Sequence, residues 1–366
     1  MKKVITSESV NKGHPDKTCD LIADSFLDEA LRQDPNAQMA VECAIKDNLL
    51  MIYGEATTKA KIDYQKIARE TLKEIGYKNK FKIITEISKQ SPDIHHAVVQ
   101  KTLMANDQGI AYGYASNETK EFMPLPIIFA HKLMREYENF RQQNQDNYLP
   151  DAKSQVSVLY DEKDNIEKID TILISVSHAK NLTHEQIYND IFEHVVQKVL
   201  IQYSEYDKGD IKYLINPSGK FTIWGSFGDS GCVGRKIVVD TYGGVGRVGG
   251  GCFSSKNATK VDRSGAYFAR YISKNIVANG LADKCEVSLG FAIGVEKPIS
   301  FSVDCFSTNK IPLEKIAEIV YNNFDFTLGN IIHELDLLKP IYKQTACYGH
   351  FGRDEFSWEK VKSLKR

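Results

Sequence analysis

No apolar run in this chain approaches the ~20 residues needed to cross a bilayer, and charges interrupt residues 1–30 throughout. Neither a transmembrane helix nor a secretory leader is expected, and the reading is a cytoplasmic protein. Charge of one sign is also missing: 47 Lys and Arg stand against 48 Asp and Glu, a formal net charge of −1. That balance supplies no global field for nucleic acid or an anionic membrane, so any polyanion must be held by a local cluster. The seven cysteines (19, 43, 232, 252, 285, 305 and 347) contain no C-x-x-C pair. Neither a disulfide framework nor a zinc site is indicated, and they read as reduced, mostly buried thiols. A Walker A sequence is absent too, because "SGKF" at 218–221 lacks both the leading glycine and a Ser or Thr after its lysine.

What is present is a chain of 366 residues, 42 % hydrophobic, long enough for two or three cores. The pattern switches repeatedly between strand and helix periods without a low-complexity linker. Leu21, Ile22, Phe26, Ala30 and Leu31 recur at helical spacing up to Asp34-Pro35. "AQMAVECAIKDNLLMIYGEATT" predicts a hairpin turning at Lys46-Asp47-Asn48, and a helix then ends near Gly76, followed by the strand "FKIITEIS". Ser91–Asn106 has mixed character and is expected to be a domain transition or loop. "ISVSHAKNLTHEQ" gives a strand and a capping box, Thr183 with Gln186, before a helix. Further on, "RKIVVDTYGG" reads as a strand entering a glycine-rich loop, and a helix follows that stops at Gly280. Strands at 285–293 and 299–307 and helices at 312–323 and 328–337 complete the chain. The fold class expected is α+β, as three successive α+β units over 1–92, 104–223 and 224–366 with slight interleaving.

The stretch Gly13-His14-Pro15-Asp16-Lys17 precedes the first helical run. Proline at the first helical position with an acid in the first turn is a good start signal, and a well-capped helix is one reading. His-Pro-Asp is also the tripeptide of a J-domain, but only thirteen residues precede His14 and they are strand-like. A third reading is an anion site: free N–H groups and the positive dipole end face a phosphate, Asp16 could hold a divalent cation, and His14 could donate to a leaving-group oxygen.

That reading requires more phosphate ligands elsewhere, and residues 228–264 supply them. Asp229, Arg235, Lys236, Lys256, Lys260 and Asp262 stand there among many glycines. Glycine lets backbone amides approach a phosphate, Arg and Lys neutralise it, and an Asp can share magnesium. Within it, Gly244-Val245-Gly246-Arg247-Val248-Gly249 fits the dinucleotide pattern G-x-G-x-x-G. That pattern needs its third glycine inside a helix, whereas Gly250, Gly251 and Cys252-Phe253-Ser254-Ser255 continue as loop. A dinucleotide-dependent oxidoreductase and a non-catalytic binding subunit remain the alternatives from other classes.

"TSESV" with "GHPDK", "GEATT", "KQSPDI", "DQG", "GYASNET", "PDAKSQV", "INPSGKF", "GDSG", "GRKIVVDTYGG", "KVDRS", "AIGV", "PIYK" and "YGHFGR" occur in this order along nearly the whole chain. In these motifs the sequence resembles the S-adenosylmethionine synthetase (methionine adenosyltransferase) family. The resemblance implies three α+β domains with pseudo-threefold symmetry, and a homodimer with active sites shared between subunits, possibly a homotetramer. It implies attack of the L-methionine sulfur on C5′ of ATP, then hydrolysis of the bound triphosphate, with two Mg2+ per active site and K+. Residue by residue, His14 would sit near the leaving oxygen, and His14, Lys153, Arg235 and Lys236 would be catalytic. Asp151, Lys153, Lys220, Phe221, Asp229, Arg235, Lys236, Cys252 and Lys256 would surround ATP and its triphosphate. Glu55, Gln90, Asp107, Asp229, Lys260 and Ile293 would meet methionine. Asp16 and Asp262 would hold magnesium and Glu42 potassium.

The sequence departs from the family pattern at Lys12, where glutamate is usual, and at Val248, Cys252, Ser255, Asn257 and Ala258, where histidine, alanine, glycine, aspartate and proline are usual. Trp224, Ser226 and Phe227 also differ, and the segment between Gln90 and Asp107 is shorter than in many relatives, with His95-His96 and Val98-Val99 in place of their glycines. Cys252 is expected either to be a small buried group or, beside several cations, to have a favoured thiolate.

Overall fold

Pro15 opens the first helix, and its missing N–H is one of the donors a helix start leaves unpaired in any case. The helix runs Pro15–Gln33 and ends where Asp34 turns extended before Pro35. In the computed structural model, which describes residues 2–89 and 103–365, the elements used below follow in chain order. They are β1 (Lys3–Val10), α1 (Pro15–Gln33), β2 (Gln38–Lys46), β3 (Leu49–Thr57), α2 (Tyr64–Ile75), β4 (Lys82–Ser88), β5 (Gly109–Ser116), α3 (Leu125–Gln143), β6 (Tyr148–Tyr160), β7 (Ile166–His178), α4 (His184–Ile191), β8 (Lys212–Ile215), β9 (Gly231–Cys232), α5 (Val261–Ala278), β10 (Lys284–Phe291), β11 (Ser300–Asp304), α6 (Leu313–Asn323) and α7 (Leu328–Glu334).

The strands form three sheets, ordered β4-β3-β2-β9, β1-β6-β7-β8 and β11-β10-β5. Helices cover each: α1 lies on β2, α3 on β1 and β6, and α5 on β5 and β10. The chain is thus three α+β units, sheet packed against helix, with Phe26, Phe129 and Phe268 among the fully buried side chains between them. The sheets trade strands. β1 pairs antiparallel with β6 (Val10 opposite Lys153), β5 pairs with β10 (Gly109 opposite Phe291), and the short β9 pairs with β2 (Cys232 opposite Ala44). Each pairing ties a segment to a sheet built mostly from another part of the sequence.

The predicted hairpin, the helix ending at Gly76 with its φ of 124°, and the Thr183–Gln186 capping box are all present. The run "RKIVVDTYGG" differs from its reading as a strand. Ile237–Asp240 makes a single helical turn. Its β-branched residues favour a strand by propensity, but β-propensity is mostly a preference for a pleated neighbour, and here the segment packs on β1 without pairing to any strand among the described residues. Instead Lys236 and Asp240 are anchored by charge to α1, at Asp16 and Lys17.

Candidate functional site

Two close approaches build the start of α1 into a site. Gly13 donates its N–H to the Pro150 carbonyl at 3.1 Å, and a Cβ there would lie 2.4 Å from the Pro150 carbonyl carbon. Only glycine lets β6 bring Asp151 and Lys153 this near the helix end. On the other side, a Cβ on Gly231 would lie 2.2 Å from the Pro15 oxygen, so β9 also runs against the first turn.

The buried Asp16 carboxylate gathers the groups that follow. Oδ1 accepts the Cys232 N–H at 3.0 Å, Oδ2 accepts the Lys236 ammonium at 2.8 Å, and the Arg235 Nε lies 3.6 Å from Oδ1. Burial works to raise this carboxyl, but the hydrogen bonds from Lys236 and Cys232 outweigh it and hold it below the usual range. His14 is the N-cap: its Nδ1 accepts the Asp16 N–H at 3.2 Å. Burial, then the nearby Lys236 charge, brings the imidazole down to about 3. His14 is therefore neutral at physiological pH, and with Nδ1 accepting, its proton sits on Nε2 as a donor. The opening stretch is both a capped helix start and a cationic, amide-rich site.

Asp151 lies beside it. Its Oδ2 accepts the Gly225 N–H at 2.9 Å while the buried Oδ1 has no partner, and burial pushes the carboxyl up to about 6. Lys153 and Asp229 both act electrostatically on Asp151, which places all three in one neighbourhood.

A second cluster forms where the glycine-rich loop enters α5. Lys256 donates to Asp262 Oδ2 at 2.5 Å. Lys260 is lowered by burial and lies within electrostatic reach of Glu55, Lys256, Asp107 and Asp262. Glu42 and Glu55 stand on the same face of β2 and β3, with the Tyr53 hydroxyl 3.5 Å from Glu42 Oε2. Ala105 exchanges backbone hydrogen bonds with Gly294 and Val295, so Asp107 and the half-exposed Ile293 flank neighbouring turns.

Cys252 links the clusters, packed against Gly234 on one side and within reach of Lys256, Glu42, Asp20 and Asp262. A favoured thiolate is not found. Burial pushes the thiol up to about 11, and three carboxylates counter the single lysine. Phe221 is held at the end of β7, where its N–H donates to His178 Nε2 at 3.1 Å and its carbonyl accepts the His178 N–H. Lys220 beside it is exposed and joins neither cluster. Gln90 and most of the segment 91–106 lie outside the described residues.

Among the described residues, no group of three or more His, Cys, Asp or Glu side chains converges on a metal position. The carboxylates of Asp16 and Asp262 stand singly, each with a lysine against it. This donor set suits a hard cation that takes one or two carboxylates and completes its shell with phosphate oxygens and water, not a cage made by protein alone.

The dinucleotide reading fails on geometry. Residues 241–260 contain no helix, so the Gly249 turn does not open one, and a Cβ on Gly249 would lie 2.2 Å from the Ile110 carbonyl. Gly246 and Gly249 serve chain packing, and Gly244 a left-handed turn with a φ of 90°.

The sequence reading missed a ladder on the buried side of α1. Asp16, Asp20, Asp24 and Asp28 recur every four residues, and each accepts a main-chain N–H from a distant segment: Cys232, Gly234, Ser255 and Tyr342 respectively. Asp24 also forms a two-point ion pair with the buried Arg263, at 2.8 Å on each oxygen. Four aspartates on one stripe that is otherwise core was a readable signal, since unpaired buried carboxylates are costly.

Fold and site together define a three-domain α+β protein with cationic side chains and main-chain amides gathered at a helix N-terminus. Three family models match in succession: the S-adenosylmethionine synthetase N-terminal domain over residues 2–100, the central domain over 102–221 and the C-terminal domain over 223–360. The chain belongs to the S-adenosylmethionine synthetase family and has its methionine adenosyltransferase activity, converting ATP and L-methionine to S-adenosylmethionine with release of phosphate and diphosphate. The family depends on metal ions. No helix among the described residues is long and apolar enough to cross a membrane.

Proposed function

We propose that the α1 N-terminus and the 232–236 segment hold the triphosphate of ATP, with Arg235, Lys236, Lys153 and Lys256 as its cationic contacts. The observation that carries this is the convergence of Arg235, Lys236 and the Cys232 amide on Asp16 beside His14. When the methionine sulfur attacks C5′, the bond to the triphosphate oxygen breaks and negative charge grows on that oxygen. Cations and a neutral His14 Nε2–H donor fixed there act where the charge accumulates. A thioether needs no general base, which agrees with a site whose histidine is held neutral.

Asp16 and Asp262 would hold Mg2+, two ions per active site, and Glu42 would hold K+. The divalent ions, when bound, neutralise the phosphate oxygens. Glu55, Gln90, Asp107, Asp229, Lys260 and Ile293 would meet methionine, while Asp151, Lys220, Phe221 and Cys252 would border the ATP. The outward face that carries Glu42 and Glu55 also exposes Leu49, Met51 and Ile84 at 40 %, 44 % and 43 %. An apolar face of this kind around binding residues supports a homodimer with shared active sites, possibly paired into a tetramer.

Lys236→Met tests the triphosphate assignment. Adenosyl transfer should fall on the order of 10²-fold or more with the melting temperature retained, the size expected for a lost transition-state contact. Turnover equal to the unmodified enzyme would remove the assignment.

A further inference from the structure

Arg235 and Lys236 do not hold themselves in place. Their segment is fastened to α1 on both sides by a buried charge group that no substrate would touch. Asp20, fully buried, accepts the Gly234 N–H on Oδ1 and the Lys17 ammonium on Oδ2, both at 2.9 Å. The Lys17 ammonium also donates to Asp240, which closes the helical turn that follows Lys236. Gly234 comes immediately before Arg235, and its φ of 76° with Cys252 packed on its Cα leaves that residue one backbone shape. The Arg235 side chain stays 51 % exposed and the Lys236 side chain 19 %, while the atoms fixing their backbone are dry.

From this we infer that Asp20 is a positioning residue for the triphosphate contacts. It sets the reach of Arg235 and Lys236 through the Gly234 amide and the Lys17–Asp240 link, without contacting substrate itself. The inference rests on the triphosphate assignment above. A contact misplaced by about 1 Å costs on the order of 10²-fold in rate, so the backbone anchor should matter nearly as much as the charge it aims. Asp28 provides the comparison. It accepts the Tyr342 and Lys343 amides at 2.8 and 3.0 Å, a segment with no proposed phosphate contact.

The test uses the full chain and inorganic tripolyphosphate as the probe, with affinity read by titration calorimetry and methionine KM by turnover. Asp20→Asn should weaken tripolyphosphate binding about tenfold or more, and methionine KM should stay within about twofold. In a background lacking both side chains, Arg235→Ala with Lys236→Met, the same change should add less than about threefold, because its effect is carried by those two contacts. Asp28→Asn should lower the melting temperature and leave tripolyphosphate affinity unchanged. Tripolyphosphate affinity in Asp20→Asn equal to the unmodified protein, or full additivity with the Arg235→Ala and Lys236→Met pair, would overturn the positioning role. If Lys236→Met itself binds tripolyphosphate normally, the triphosphate assignment fails instead. Should Asp20→Asn not accumulate folded, Asp240→Asn carries the same measurement: several-fold weaker binding supports the inference, and unchanged binding overturns it.

Discussion

The Lys256 ammonium and the Asp262 carboxylate meet at 2.5 Å, joining the end of the glycine-rich loop to the first turn of α5. A Cβ on Gly251 would fall 2.1 Å from the Asp262 carboxyl carbon, so the loop wraps directly over this acid. If Asp262 binds magnesium, Asp262→Asn should raise the magnesium concentration needed for half-maximal activity several-fold, since a hard cation prefers anionic oxygen. Titrating turnover against magnesium checks this. An unchanged requirement would leave Asp262 as the partner of Lys256 only.

His14 gives a prediction in pH. Its imidazole is brought down to about 3 in the fold, against 6.5 in an unfolded chain. Between those values the unfolded state binds a proton that the native state refuses, so stability rises with pH across this window. The contribution is complete above 6.5 and is lost as pH falls toward 3. The loss in melting temperature on acidification from about pH 7.5 to about pH 5 should therefore shrink in His14→Asn. The His14 resonances of the unmodified protein should not titrate in the same interval.

Ser255 stands where the family usually has glycine, and the position explains the family's choice. Its φ is 79°, its N–H donates to Asp24 at 3.0 Å, and its hydroxyl is buried without a partner. A left-handed conformation costs an L-residue roughly 1–2 kcal/mol, partly offset by the freedom glycine adds to the unfolded chain. Ser255→Gly should raise stability by about 1 kcal/mol, read from the denaturant midpoint. A lower midpoint would contradict this.

Cys252 should behave as packing. With its thiol pushed up to about 11 and its Sγ set against Gly234, it should react with iodoacetamide more slowly than a free thiol. Cys252→Ala should keep activity within about twofold, because it removes one atom from a contact and no charge. Peptide mapping after timed alkylation would show the order of reaction. Fast labelling of Cys252 would mean that it is more open than its packing implies.

The parts legible in the sequence were those encoded locally. Pro15 with Asp16, the Asp34-Pro35 stop and the Thr183–Gln186 box carry their own geometry, and each element formed where it was expected. The family motifs pointed to the charged residues, and His14, Asp16, Arg235 and Lys236 do meet. What was not legible depends on distant partners. Ile237–Asp240 reads as a strand until the charges of α1 are known to lie beneath it. The motif "YGHFGR" shows no role of its own in the sequence, and its partners lie far off along the chain: Tyr348 donates to Asn11 at 2.5 Å and His350 Nδ1 lies 2.7 Å from the Tyr267 hydroxyl. Asn257, in place of aspartate, still caps β2 by accepting the Met39 N–H at 3.0 Å. No single-residue pattern announces that role.

The strand exchange between sheets also governs how the chain is born. β5 emerges from the ribosome with Gly109–Ser116, but its partner β10 begins only at Lys284. At about 5–20 residues per second, the β5 edge must wait on the order of ten to forty seconds with its hydrogen bonds unmet. β1 faces a similar delay before β6 arrives. Contacts this remote in sequence also slow folding itself. Through that interval two strands lack their partners, and a nonsense product ending before Lys284 should be sticky and short-lived.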